Sequence, residues 1–298
     1  MSLSARAALR PTGPPRRPAR RATVRPTRGL LVRYAVLATG VLVFCVPFLM
    51  MVSTSFKKQT YVLEVPPKLL PHDPTTANYT QALASNGFAT YFANSLLVAI
   101  ATVAGVLLLG SMMAYAFARF DFPGRRAIFL ALIATLMIPG MMLVIPQYLV
   151  AKDLHVLDSR LGLVLFYVAG QLAFTTFLLR GFIVTIPRDL DEAMALDGAG
   201  PLRVFWSLIL PLCRPALATA GIFSFLGAWD EFVWAVTIID SPEKRTLPIA
   251  IALFQGQHAT SWGLVFAASV IAVLPVVIVF VVFQRQFVAG VQAGALKG

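Results

Sequence analysis

Charge is scarce in this 298-residue chain: Asp, Glu, Lys and Arg make up 13% of it, where a soluble domain carries roughly a quarter. That excludes the surface an ordinary water-soluble fold needs. Histidine is nearly absent, and His72, His155 and His258 fall in separate polar segments, so no histidine cluster for a metal ion forms in the sequence. The two cysteines, Cys45 and Cys213, sit in different apolar stretches without neighbouring ligands, which argues against a disulfide and against a metal site. No lysine follows a glycine anywhere, whereas a phosphate-cradling loop requires a Gly-Lys-Ser/Thr step. If the chain works by ATP, another chain must hold the nucleotide. The zinc-protease helix signature and the nucleophile turn of serine hydrolases are missing too, and no His, Asp and Glu cluster supports a membrane enzyme. No catalytic residue, cofactor or metal is expected.

What the chain has instead is apolar length. It is 58% hydrophobic, with a mean hydropathy of +0.78. Six apolar segments approach the roughly 20 residues a helix needs to cross a bilayer: 31–53, 93–117, 126–148, 161–181, 214–239 and 263–284. They lack the alternation of a membrane barrel, and open strands cannot satisfy their backbone in lipid, so the expected fold is an all-α membrane protein with six transmembrane helices. The third segment carries Pro139, Gly140 and Pro146 and should be kinked or broken.

The formal net charge of +12 would suit nucleic acid, but its placement suits a membrane. Nine arginines fall in the first 33 residues, and Arg119, Arg125, Arg126, Arg180, Arg188, Arg203, Arg214, Arg285 and Lys297 lie in segments on the same side. Lys57, Lys58, Lys68, Lys152, Arg160, Lys244 and Arg245 are left on the other. The positive-inside rule then puts both termini in the cytoplasm, with most of the vote coming from the N-terminal tail. That tail, residues 1–30, is rich in Arg, Pro and Ala without apolar periodicity, and reads as a disordered basic segment suited to anionic lipid headgroups. Its charged region and the apolar run after it are too long for a cleavable signal peptide, so the first helix is expected to be retained. Asn78-Tyr79-Thr80 is a glycosylation sequon, a pattern too short to carry weight.

The loop at about 187–211 contains EAMALDGAGPLRVFWSLILP, from Glu192 to Pro211. After Pro187, Asp189 is placed to cap a short helix with Glu192 as its capping-box partner, and Asp189, Asp191 and Glu192 put negative charge at the favoured end of the dipole. Leu190, Ala193, Met194 and Asp197 share one helical face. Gly198 and Gly200 can end that helix with left-handed backbone, and Pro201 can begin a second one carrying Val204, Phe205, Leu208 and Ile209. These residues either cap and turn a connection or build a docking element.

The stretch resembles the Glu-Ala-Ala loop of ABC importer permeases. Glu192, Ala193, Gly198, Leu208, Leu210 and Pro211 match that pattern, nine residues separate Gly198 from Leu208, and Met194 stands where the pattern has Ala. NSLLVA (Asn94 to Ala99), AYAFARFDFPGRR (Ala114 to Arg126), GFIVTIPRDLDEA (Gly181 to Ala193), FSFLGAWDEF (Phe223 to Phe232) and FQRQFVAGVQAGALKG (Phe283 to Gly298) are similar to the carbohydrate branch, in particular to the smaller permease subunit of maltose-type importers. The resemblance runs from about residue 30 to the end and implies the type I ABC importer permease fold over 31–298. It implies a heteromeric complex with a second permease subunit, an ATPase dimer and an extracytoplasmic solute-binding protein. Glu192, Ala193, Met194, Asp197, Gly198, Leu210 and Pro211 would form the coupling element, with Gly198 allowing its bend. The segments Ser53 to Phe92 and Asp240 to Trp262 would receive the binding protein.

Asp230 and Glu231 are the acids inside an apolar segment, and charge at that depth costs on the order of 3 kcal/mol. Asp230 with Trp229 and Gln171 can line a pathway for sugar hydroxyls. Alternatively the acids sit near the outer interface or pair with a neighbouring helix, and a position nearer the edge than the middle favours this. A self-contained secondary transporter is the competing function, but it calls for internal repeats and ionisable pairs in several spans.

Overall fold

The computed structural model describes residues 28–295 apart from Leu63, Pro67, Asn86 and 256–259, so most of the basic tail, His258 and Lys297 lie outside the described residues. Among those residues the regular structure is helical, with two isolated bridges, Lys57 to Pro74 and Gln255 to Thr260. The helices are α1 (Arg28–Ser55), α2 (Gln59–Val62), α3 (Ala77–Ala84), α4 (Phe88–Arg119), α5 (Arg125–Ala134), α6 (Val144–Asp153) and α7 (Arg160–Ile183). They continue as α8 (Asp189–Leu196), α9 (Pro201–Val204), α10 (Leu210–Leu212), α11 (Arg214–Trp229), α12 (Val233–Ile238), α13 (Leu247–Leu253) and α14 (Trp262–Ala295). A π-helical turn over Phe205–Ile209 joins α9 to α10.

Four helices are long and apolar enough to span a membrane: Val32–Ser55, Phe88–Arg119, Arg160–Ile183 and Trp262–Arg285. Two bent pairs raise the number to six if each counts as one span: Arg125–Met137 with Gly140–Asp153, bent by 99°, and Pro201–Leu212 with Arg214–Trp229, bent by 80°. The first break falls at Ile138 and Pro139, both extended, as the prolines of the third segment predict. Pro146 is accommodated in the first turn of α6, where its missing N–H costs nothing. In the second pair, the ring of Pro215 would oppose the carbonyl of Pro211 in a straight helix.

The expectation of one fifth helix over 214–239 needs correction. Helix α11 stops at Trp229, and α12 starts at Val233. The cause is Glu231, whose carboxylate accepts the amide N–H of Trp234 at 2.7 Å and of Ala235 at 3.0 Å. It thereby caps a new helix in the middle of an apolar segment.

The chain divides into two compact units, residues 1–48 and 49–298. The described part of the first is the apolar helix up to Phe48. In the second, α4 packs along α7 through small residues. A Cβ added to Gly110 would lie 2.7 Å from Thr175 Cγ2, and one added to Gly105 would lie 2.8 Å from Val168 Cγ2. Buried Ala216, Ala220 and Ala228 on α11 and Ala267 and Ala268 on α14 extend this small-residue packing.

Helix α4 has 32 residues, a length of about 48 Å, so its ends serve different sites. One buried cluster gathers Phe88, Val98, Leu163, Tyr167, Trp229 and Trp234 near its start. A second gathers Ala114, Tyr115, Leu179, Ile183, Phe205 and Ile209 near its finish. Asn78, the sequon residue, is buried and donates to the carbonyls of Ser55 and Lys57 at 2.8 Å each, so its amide is committed to the fold.

Candidate functional site

The predicted loop folds as a helix, a reversal and a second helix against the finish of α4. Asp189, Asp191 and Glu192 occupy the first turn of α8 as expected. Asp189 is not the cap, however. Arg188 holds that position with helical backbone and no side-chain capping bond, so the capping-box reading fails, and the acids favour the helix start through its dipole. At the other end, Gly198 N donates to Ala195 O at 3.0 Å and Ala199 N to Met194 O at 2.9 Å, with Gly198 at φ +78°. This is a Schellman closure, in which the residue after the cap needs left-handed backbone. Gly200 does not share the role, since its φ of −73° is ordinary extended backbone. Pro201 then opens α9 at its first turn, as predicted.

One face of α8 is tied down and the other is free. Arg119 Nε, at the last residue of α4, stands 2.5 Å from Asp191 Oδ2, and the two side chains are 7% and 20% exposed. Arg119 also donates to Ile186 O at 3.0 Å, and Tyr115 Oη donates to Pro201 O at 3.3 Å. Met194 and Ala199 pack on the Phe205 cluster, the apolar contact that accompanies a Schellman end. Leu190, Ala193 and Asp197, expected on one stripe with Met194, are exposed instead, because the Arg119 clamp sets the helix rotation. Glu192 and Gly198 are exposed with them, and Leu196 is 90% exposed. Leu210 is half-buried against the cluster and Pro211 is exposed. Beside Arg119 and Asp191, a depression of 280 Å³ is lined by Tyr115, Arg188, Glu192 and Pro201. Loop-side readings of sequence miss Arg119, since its partner is 72 residues away; its visible signal is a lone arginine at the end of an apolar run.

The three residues predicted along the pathway do not form one surface. Trp229 is 2% exposed, stacks on Phe225 with centroids 5.5 Å apart, meets Phe92 edge-on and donates its indole N–H to Ala272 O at 3.0 Å. It is a core residue with little face left to offer. Gln171 lies against Gly227, whose added Cβ would be 3.5 Å from Nε2. Asp230 is exposed and lines a cavity of 400 Å³ with Phe232, Leu247, Pro248 and Gln255, where Trp229 presents an edge and Gln171 takes no part. Its neighbour Glu231, besides capping α12, accepts from Tyr167 Oη at 2.6 Å.

A polar knot closes the end of the bundle where α4 begins. Asn94 donates to Glu243 O and Arg245 O at 2.8 and 2.9 Å and accepts from Arg160 at 2.7 Å, while Ser95 Oγ accepts Leu247 N at 2.8 Å. Asp158 receives Lys244 Nζ at 2.7 Å and the amides of Asp240 and Ser241 at 3.1 and 2.9 Å. The bonds from Lys244 and Ser241 hold its carboxyl well below the ordinary carboxylate range. Together they staple the segment after α12 to α4 and α7, and they give the Asn94-Ser95 step a physical meaning. Among the described residues no group of three His, Cys, Asp or Glu is placed to hold a metal ion.

A bundle of long apolar helices with a polar helical loop fastened to one end fits a multi-pass membrane protein. Residues 106–292 match the family described as binding-protein-dependent transport system inner membrane component, and the chain belongs to that family. It is 36% identical to the sulfoquinovosyl glycerol transport system permease protein SmoH of Agrobacterium fabrum, over 85% of this chain and 88% of that one. It is 35% identical to the trehalose/maltose transport system permease protein MalG of Thermococcus litoralis, over 91% and 97%. Among solved structures, a bacterial ABC transporter importing the acidic polysaccharide alginate superposes with a TM-score of 0.74 at 26% identity, over 86% of this chain and 95% of its counterpart. The expected permease fold and family are therefore correct.

Proposed function

We propose that this chain is a permease subunit of an ATP-driven importer that carries a carbohydrate delivered by an extracytoplasmic binding protein. The relatives' names are those of sugar-uptake permeases, and the family description itself specifies dependence on a binding protein. A second permease subunit completes the pathway, and a separate ATPase dimer supplies the energy. Both termini and α8 face the cytoplasm, where the basic tail meets anionic lipid.

One observation carries the mechanical part of this reading. Helix α8 is clamped on its inner side by Arg119 and Asp191, while Glu192, Ala193 and Leu196 face outward, uncovered by the described residues. A rigid connection on one face and an unpartnered face on the other suit a lever. Closure of the ATPase pair pushes α8, and Arg119 passes the displacement to α4, which runs the length of the bundle. Leu196 at 90% exposure is the apolar anchor such a contact needs.

Reconstitution tests the reading. Proteoliposomes holding this chain with a second permease and the ATPase, supplied with loaded binding protein outside and ATP inside, should accumulate labelled saccharide. Accumulation by this chain alone, driven by a proton or sodium gradient without ATP, would establish a secondary transporter instead.

A further inference from the structure

The adjacent acids Asp230 and Glu231 have opposite fates. Glu231 spends its carboxylate on Tyr167, Trp234 and Ala235. The Asp230 carboxylate has no hydrogen-bond or ion-pair partner among the described residues, and the residue is exposed in the 400 Å³ cavity. It lies one residue past α11, about 24 Å along that helix from Arg214. A charge in an apolar segment without a protein partner needs water, and the cavity beside Asp230 can supply it.

Resting on the permease reading, we propose that Asp230 anchors a saccharide subsite contributed by this subunit, and that the subsite admits uncharged sugars and rejects acidic ones. The cavity's volume lies in the range of small-molecule sites and accommodates one or two sugar rings. A carboxylate accepts two hydroxyl hydrogens at once, the pattern that neighbouring sugar hydroxyls present. Gln255 adds an amide that can donate and accept, and Phe232, 38% exposed, offers an aromatic face to the apolar side of a pyranose. Phe232 and Gln255 thus fill the parts that the sequence suggested for Trp229 and Gln171.

The charge of the lining sets the selectivity. Among the described residues of the lining, Asp230 alone carries a charge, and no Lys or Arg stands there to receive a carboxylate or sulfonate. An acidic sugar brought within hydrogen-bonding distance of Asp230 would meet like-charge repulsion, worth about tenfold in affinity.

Thiol protection in the assembled complex tests this. In a background with Cys45 and Cys213 replaced by Ser and Ala, Ala252→Cys places a thiol in the cavity wall while keeping Asp230, Phe232 and Gln255. With the complex trapped by ATP and vanadate, labelling by a neutral maleimide is timed with maltose, trehalose, diacetylchitobiose or alginate trisaccharide present. At least one uncharged sugar should slow labelling about tenfold, and alginate should not. Adding Asp230→Asn should weaken protection by that sugar about tenfold and let alginate protect. Equal protection by alginate and the uncharged sugars in the Asp230 protein overturns the proposal. So does absence of protection by any of the four in a complex that still hydrolyses ATP when loaded binding protein is added. A complex that fails to assemble with an ATPase removes the permease reading itself, and the inference with it.

Discussion

Replacing Arg119 with Leu should release α8 while leaving the bundle folded. The ion pair with Asp191 is largely withdrawn from water, with side chains 7% and 20% exposed. Removing one partner of a buried pair costs about 3–5 kcal/mol, and the partial hydration of Asp191 argues for the lower end, about 3 kcal/mol. Asp191 Oδ1 already has no hydrogen-bond partner, and Ile186 O loses the Arg119 donor as well. At about 1.4 kcal/mol per decade, local opening of α8 becomes on the order of 100-fold more frequent. Amide hydrogen exchange over residues 189–196, measured in nanodiscs, should accelerate by that factor while α4 and α7 keep their protection. The double variant Arg119→Leu, Asp191→Leu should recover much of the loss, because an apolar pair replaces a charged one without leaving a charge unpaired. Unchanged exchange in the single variant, or a double variant worse than both singles combined, would refute the clamp.

Other consequences follow from the same geometry. Gly198→Val should cost about 1–2 kcal/mol through left-handed backbone alone, since an added Cβ meets nothing within 4 Å. Gly198→Asn should be tolerated, and ATP hydrolysed per sugar imported reports both. Gly110→Leu should lower the detergent melting temperature markedly, because its Cβ would already sit 2.7 Å from Thr175 Cγ2, and the chain would need α4 and α7 to separate. The Asp158 carboxyl titrates lower in the folded protein than in the unfolded chain. Its stabilisation is therefore complete above about pH 4 and is lost as the pH falls below that. Asp158→Asn should flatten the acid limb of a stability-against-pH profile.

Local chemistry was the legible part. Span positions followed from apolar length, the break at Pro139 from the missing N–H, and the turn at Gly198 from a glycine that can take left-handed backbone shortly before Pro201. The exposed or buried state of each loop residue was not legible, because the rotation of α8 is set by Arg119, a partner distant in sequence. The same holds for the fifth segment. Its apolar composition reads as one helix, and the chain restarts there because the Glu231 carboxylate accepts the amides of Trp234 and Ala235, while Tyr167, distant in sequence, holds that carboxylate in place. Trp229 and Gln171 read as pathway residues by the ring stacking and hydrogen bonding they could offer a sugar, but stacking on Phe225 and packing on Gly227 draw them into the bundle.

Co-purification in mild detergent decides whether α8 is the contact with the ATPase. Tagged wild-type chain should bring the ATPase subunit with it, and a Glu192→Lys, Gly198→Trp double variant should not, although it inserts and folds. Equal recovery of the ATPase with both proteins would contradict the assignment and move the contact elsewhere on the chain.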